Sequence, residues 1–138
     1  MKDRLIFIGT FEIPQTALAE WRTRSKEMYE FVQANEPRVL SFHFYVSADG
    51  REGTVIQVYP DSEALEYHLK VAAAKIEVGS QMVKVKHLQL FGSPSERLVE
   101  QLRRGSELGG GWPVIVKGYV HGFSRGESDV SAEFPTAG

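Results

Sequence analysis

The stretch VLSFHFYVSADGREGTVIQVYPDSEALEYHLK, residues 39–70, decides the fold. Leu40, Phe42, Phe44 and Val46 alternate with Ser41, His43 and Tyr45, the period-two pattern of a strand with two unlike faces. SADGREG contains Asp49-Gly50, a strong hairpin signal, and TVIQVY (54–59) is the returning strand. Asp61 or Ser62 then caps a helix, with Glu63 in its first turn, where the helix dipole favours an acid. Leu65, Leu69, Ala72 and Ile76 make its buried stripe, and Gly79 is its expected stop.

Outward from this core, RLIFIGTFEI (4–13) reads as a strand with Leu5, Phe7, Phe11 and Ile13 on one face and Ile6 and Ile8 on the other. Apolar residues on both faces predict a central strand. Pro14 pre-sets the chain for a turn or a first helical position, and Leu18, Trp21, Met28 and Val32 recur at helical spacing from about Thr16 to Asn35, with Ser25 amid the stripe. Asn35-Glu36-Pro37 ends that helix, because the residue before proline is pushed out of the helical region. MVKVKHLQLFG (82–92) is the last core strand, and Lys84 and Lys86 on one face suit a sheet edge.

The order strand, helix, strand, strand, helix, strand is the ferredoxin-like α+β arrangement. It is a four-stranded antiparallel sheet with both helices on one face, expected over residues 1–92. Residues 93–123 add a short helix (SPSERLVEQLRR), a glycine-rich connector and a possible fifth strand within 113–123. Residues 124–138 read as a flexible tail.

Composition sets the outer bounds. The chain has 138 residues, 42% apolar and 25% charged, with a net charge of −2, enough for one domain with a real core. No block of like charge points to nucleic acid or to a polybasic membrane patch. The absence of cysteine removes disulfides, thiolate metal sites and a thiol nucleophile. The apolar run near the start is too short for a signal peptide, and no stretch is long enough to span a bilayer, so a cytoplasmic protein is expected.

One sheet face is unusual. Opposite the helices, the hairpin strands are read as presenting Ser41, His43, Tyr45, Val55, Gln57 and Tyr59, a polar and aromatic set without charge. Such a face fits a covering partner, most simply a second copy packed sheet to sheet in a homodimer. The alternative is that segment 113–123 folds back across it.

The run 34–70 resembles the antibiotic biosynthesis monooxygenase-like domains of the dimeric α+β barrel superfamily. The similarity lies in Glu36-Pro37 after the first helix, the hairpin, the aromatic Tyr59 ending the third strand, and the pattern Asp61, Ala64, Leu65, His68. LFGSPSERL after the last strand also looks like the end of such a domain, and the likeness spans about residues 3–92. It implies a homodimer with a pocket between sheet and helices in each protomer. It also implies oxygenation of quinols or polyketide phenols without metal or flavin, or haem degradation, although fold membership alone does not choose. The chain departs from the pattern at Gln57, where family members often have Glu. The haem-degrading branch uses an Asn on the first strand and a Trp ending the third. Neither is present, which disfavours that chemistry.

His68 is the candidate catalytic residue. It follows Leu65 by three and precedes Ala72 by four, at the border of the apolar stripe. A neutral imidazole there can accept a phenol proton; the competing role is a brace between helix and sheet. Trp21 and Tyr29 are candidates to flank a flat substrate, against the commoner role of a helical Trp as core. Ser25 either lets its helix approach the sheet closely or leaves a cavity. His43 and Tyr45, about 7 Å apart on one strand face, either contact a ring or pack against a partner chain.

The four histidines lie on separate elements without paired metal-ligand spacing. Gly109–Gly111 lack the Lys-Ser/Thr of a phosphate loop, and no Gly-x-Ser-x-Gly elbow is present. Two functions compete: a cofactor-independent monooxygenase acting on a small aromatic, with His68 as base, and a non-catalytic dimeric module holding a hydrophobic small molecule.

Overall fold

A computed structural model describes residues 4–126. Strands β1 (Leu5–Glu12), β2 (Ser41–Val46), β3 (Glu52–Tyr59), β4 (Lys84–Phe91) and β5 (Val114–Lys117) form one mixed sheet in the order β2-β3-β1-β4-β5. Helices α1 (Leu18–Asn35), α2 (Ser62–Val71), α3 (Ala73–Met82) and α4 (Glu96–Gly109) accompany it, and one 3₁₀ turn at Gln15–Ala17 precedes α1. The first four strands pair antiparallel, as the ferredoxin-like order requires, and β1 is central. β5 lies parallel to β4 along its second half, pairing Leu88–Phe91 with Val114–Lys117. The sheet therefore has five strands rather than four, and Lys84 and Lys86 sit where β4 has no β5 neighbour.

The second helical segment breaks at Ala72, whose ψ of 8° leaves the helical range, so one expected helix becomes two. α3 runs through Gly79 to Met82 instead of stopping there. A Cβ at Gly79 would meet nothing within 4 Å, so this glycine sits on an open helix surface.

The hairpin turn is built as the sequence reads. Gly50 takes φ 73°, the left-handed conformation glycine tolerates. Asp49 accepts from the Ser47 hydroxyl and the Arg51 backbone N–H. The register pairs Phe42 with Gln57 and Phe44 with Val55. This corrects one assignment: Val55, Gln57 and Tyr59 lie on the helix-covered face, where all three are buried.

The core joins Leu5, Phe7, Phe11, Ile13, Val55, Tyr59 and Leu90 from the strands to Trp21, Leu65, Leu98 and Leu102 from the helices. Leu65, Leu90 and Leu98 are completely enclosed, each burial stabilising by about 1.5–3 kcal/mol. The opposite face carries Ile6, Ile8, Ile56, Val58, Gln89 and Phe91, with Ser41, His43 and Tyr45 on the edge strand. The middle of this face has no charged side chain. Segment 113–123 does not cross it: β5 extends the sheet edge, and Val120 and Phe123 beyond it are exposed. The tail reading for 124–138 lies largely outside the described residues. Among those described, no helix is long and apolar enough to cross a membrane.

Candidate functional site

Beneath α1, α2 and α3, the inner face of the sheet leaves a cavity of about 390 Å³. Phe7, Phe11, Trp21, Phe42, Phe44, Val55 and Leu65 give it apolar walls, and Ser25, Gln57 and His68 are its inner polar groups. Arg24, Glu27 and Lys75 also reach it. Ser25 opens the space. Its hydroxyl donates to the Trp21 carbonyl at 2.6 Å, one turn back on its own helix, so a small, already satisfied residue stands where a larger one would fill the gap.

His68 is buried at the border of the α2 stripe. The helix that carries it starts at Asp61, whose carboxylate accepts the Ala64 N–H at 3.0 Å. Asp61 is also ion-paired with Arg38. The Arg38 guanidinium, with the Ala64 N–H, holds the Asp61 carboxyl below the usual carboxylate range. α2 is thereby tied to the segment that follows α1.

The same segment supplies Glu36. Its backbone N–H closes α1 on the Val32 carbonyl and its own carbonyl accepts from Val39, so the chain turns there and the side chain is driven inward. Both carboxylate oxygens lie 2.9 Å from His68 Nδ1. The side chains are 1% exposed for Glu36 and 3% for His68. A buried carboxylate needs a donor, so Nδ1 carries the proton in neutral His68 and Nε2 is left with its lone pair. Nε2 makes no hydrogen bond among the described residues, and His68 lines the cavity. The ring is wedged between Phe42, 5.3 Å away centroid to centroid, and Tyr59 at 6.3 Å.

Tyr59 donates its phenol O–H to Gln57 Oε1 at 2.5 Å. Burial, reinforced by the nearby negative charge of Glu36, drives its pKa far up, so the phenol stays protonated.

Of the residues singled out from sequence, His68, Trp21 and Ser25 come together at this cavity. Tyr29 and His43 line an adjoining groove of about 640 Å³ between the end of α1 and β2. Ser25, Phe42 and Phe44 also border that groove, as does Glu36. Tyr45 is exposed on the outer sheet face, with its ring 6.5 Å from His43 and away from the cavity. Sequence reasoning did not select Glu36, Gln57 or Tyr59 for the site. Centring the hairpin on Asp49-Gly50 would have placed Gln57 opposite Phe42, whereas nothing local marks Glu36 as buried.

Among the described residues, no group of three His, Asp or Glu side chains is placed to hold a metal ion. The arrangement is suited to proton transfer: a histidine backed by a buried carboxylate at a cavity with largely apolar walls.

No protein-family model and no curated protein matches the chain. Solved structures do. MupZ from Pseudomonas fluorescens is similar at 20% identity with a TM-score of 0.69, over 88% of this chain and 94% of that one. SnoaB, a cofactor-independent oxygenase from Streptomyces nogalater solved as a point mutant, is 18% identical with a TM-score of 0.58, over 67% and 95%. A candidate antibiotic biosynthesis monooxygenase from Deinococcus radiodurans is 14% identical with a TM-score of 0.56, over 66% and 93%. The fold is that of the antibiotic biosynthesis monooxygenase-like α+β domains. The MupZ match spans enough of the chain to reach beyond that shared core.

Proposed function

We propose that this protein is a cofactor-independent monooxygenase that oxidises a small phenol or quinol in the cavity beneath α1–α3. The observation that carries the reading is His68: Nδ1 is held by both oxygens of buried Glu36, Nε2 has no hydrogen-bond partner among the described residues, and the residue lines an apolar cavity. Nε2 takes the O–H proton of the bound phenol, and Glu36 stabilises the imidazolium that results. The anion then gives an electron to oxygen, and recombination at a ring C–H carbon forms a hydroperoxide. Loss of water leaves a carbonyl. The net change is phenol plus O₂ to quinone plus water, with the substrate supplying both electrons that reduce the second oxygen atom. Trp21, Phe42 and Phe44 hold the ring and exclude water, which keeps the anion reactive. The cofactor-independent oxygenase with a similar fold supports the assignment by analogy.

The working unit in this proposal is a homodimer built on the outer sheet face. The uncharged, half-buried surface of Ile6, Ile8, Ile56, Val58 and Phe91 would be covered if a second copy packed on it about a twofold axis. Light scattering would then give twice the chain mass, and Ile56→Lys would reduce it to the monomer.

Oxygen uptake with a panel of hydroquinones and naphthols tests the chemistry, comparing the native protein with His68→Ala and His68→Gln. Uptake above the uncatalysed rate that both substitutions abolish supports the oxygenase. Ligand binding without uptake by the native protein favours a non-catalytic module for a hydrophobic small molecule.

A further inference from the structure

We propose that the Gln57 carboxamide is an anion-binding donor of the inner cavity, and that the site takes its ligand as an aryl or enol oxyanion. This rests on the reading of that cavity as the ligand site. Gln57 lies directly across the β2–β3 ladder from Phe42, and the Phe42 ring in turn rests against the His68 imidazole at 5.3 Å. Gln57 and His68 therefore belong to one neighbourhood, and both line the cavity.

The amide's direction follows from its partner. Gln57 is 5% exposed, and its Oε1 accepts the Tyr59 phenol O–H at 2.5 Å. That phenol proton has no other acceptor among the described residues, so the carbonyl oxygen must face Tyr59 and the NH₂ group must turn the other way. The NH₂ makes no hydrogen bond among the described residues. That nitrogen is not among the fully enclosed unpaired atoms of the described residues, so it stays accessible to an acceptor from outside the chain. Tyr59 is fully enclosed, and burial together with the Glu36 charge keeps it protonated, so the clamp on the amide does not release as pH rises.

The charge balance explains why a neutral donor suits this place. In the reactive state of the proposed reaction, with Glu36 ionised and His68 neutral, the interior holds one charge before proton transfer. When the ligand O–H gives its proton to His68 Nε2, the interior holds Glu36 carboxylate, His68 imidazolium and the ligand oxyanion, and the net charge is unchanged. The imidazolium is braced by Glu36; the oxyanion needs its own donor, and Gln57 supplies an N–H without adding charge. Arg24, paired with Glu20 and Glu27, Glu27 itself, and Lys75, lying over the Phe31 ring, are the charged groups at the cavity's helical border. A carboxylate at position 57 would instead repel the anion.

The probe is 4-nitrophenol, whose anion absorbs visible light and whose neutral form does not. Its apparent pKa when bound is read spectroscopically on the native protein, Gln57→Leu, Gln57→Glu and Tyr59→Phe. Gln57→Leu is expected to reduce the ratio of bound anion to bound neutral form about tenfold, the equivalent of one pKa unit. Gln57→Glu is expected to reduce it further, and Tyr59→Phe, which frees the amide to rotate, to reduce it less. Tyr59→Phe also serves if Gln57→Leu does not fold. Equal anion fractions in the native protein and the variants would overturn the proposal, as would failure of the native protein to bind the probe. The readout is independent of turnover: a shift in Gln57→Leu without oxygen uptake keeps the oxyanion site and removes the oxygenase. Uptake without the shift does the reverse.

Discussion

Two side-chain pairs join the same two pieces of chain, and they differ in almost everything but their endpoints. Arg38–Asp61 links the segment after α1 to the start of α2, with side chains 53% and 44% exposed. Glu36–His68, two residues back on one side and seven on along the other, links the same pieces at 1% and 3% exposure. The outer pair sits in water, which screens it. The inner pair has lost its hydration, and the attraction between partners roughly offsets that loss; apolar residues of similar volume often serve stability equally well. The outer pair is therefore understood as positioning, and the inner pair by what its free nitrogen does.

The largest effect separates the two pairs most sharply. His68→Ala leaves the Glu36 carboxylate buried without a donor and is expected to cost roughly 3–5 kcal/mol in urea unfolding. Replacing both residues with leucine should restore most of that loss while activity stays abolished. A double substitution as costly as the two single ones together would make the pair an ordinary contributor to stability and break the contrast. Glu36→Gln keeps a hydrogen-bond partner for Nδ1 but removes the charge behind the imidazolium. Its expected mark is turnover lower by about 10²-fold, within the range for acid–base groups, with a modest change in the unfolding midpoint.

A smaller effect lies on the outer pair. Asp61→Ala removes the cap of α2 and is expected to cost about 1 kcal/mol near neutral pH. Arg38 and the Ala64 N–H lower the Asp61 carboxyl in the folded chain below its ordinary value of 3.8. Its contribution is therefore complete above about pH 4 and disappears as pH falls through the lowered value. Urea midpoints of the native protein and Asp61→Ala should converge in acid; a constant gap would mean that the charge plays no part. Arg38→Ala should do least, and added salt should erase what it does.

Much of this organisation was legible in the sequence, and the failures have physical causes. Alternation in 40–46 and Asp49-Gly50 gave the hairpin, and βαββαβ order gave the fold, because both signals are local. The β3 faces were misassigned because a strand's own periodicity does not say which face meets the core. The pairing does: a turn centred on Asp49-Gly50 sets each residue opposite its equidistant partner, Phe42 with Gln57. The break at Ala72 leaves the apolar stripe intact across it, so periodicity is blind to it. His68 was visible as a polar residue at the edge of a stripe. Glu36 was not, since an acid before proline at a helix end reads as a surface residue until a partner 32 positions later encloses it.

The most direct test of the central claim is oxygen consumption by the native protein and His68→Gln with the naphthol panel, at matched unfolding midpoints. Glutamine keeps an N–H for the Glu36 carboxylate and removes the base. The account predicts uptake by the native protein and at least a roughly hundredfold loss in the variant. Equal uptake by both, or none by the native protein with naphthols that it binds, would contradict it.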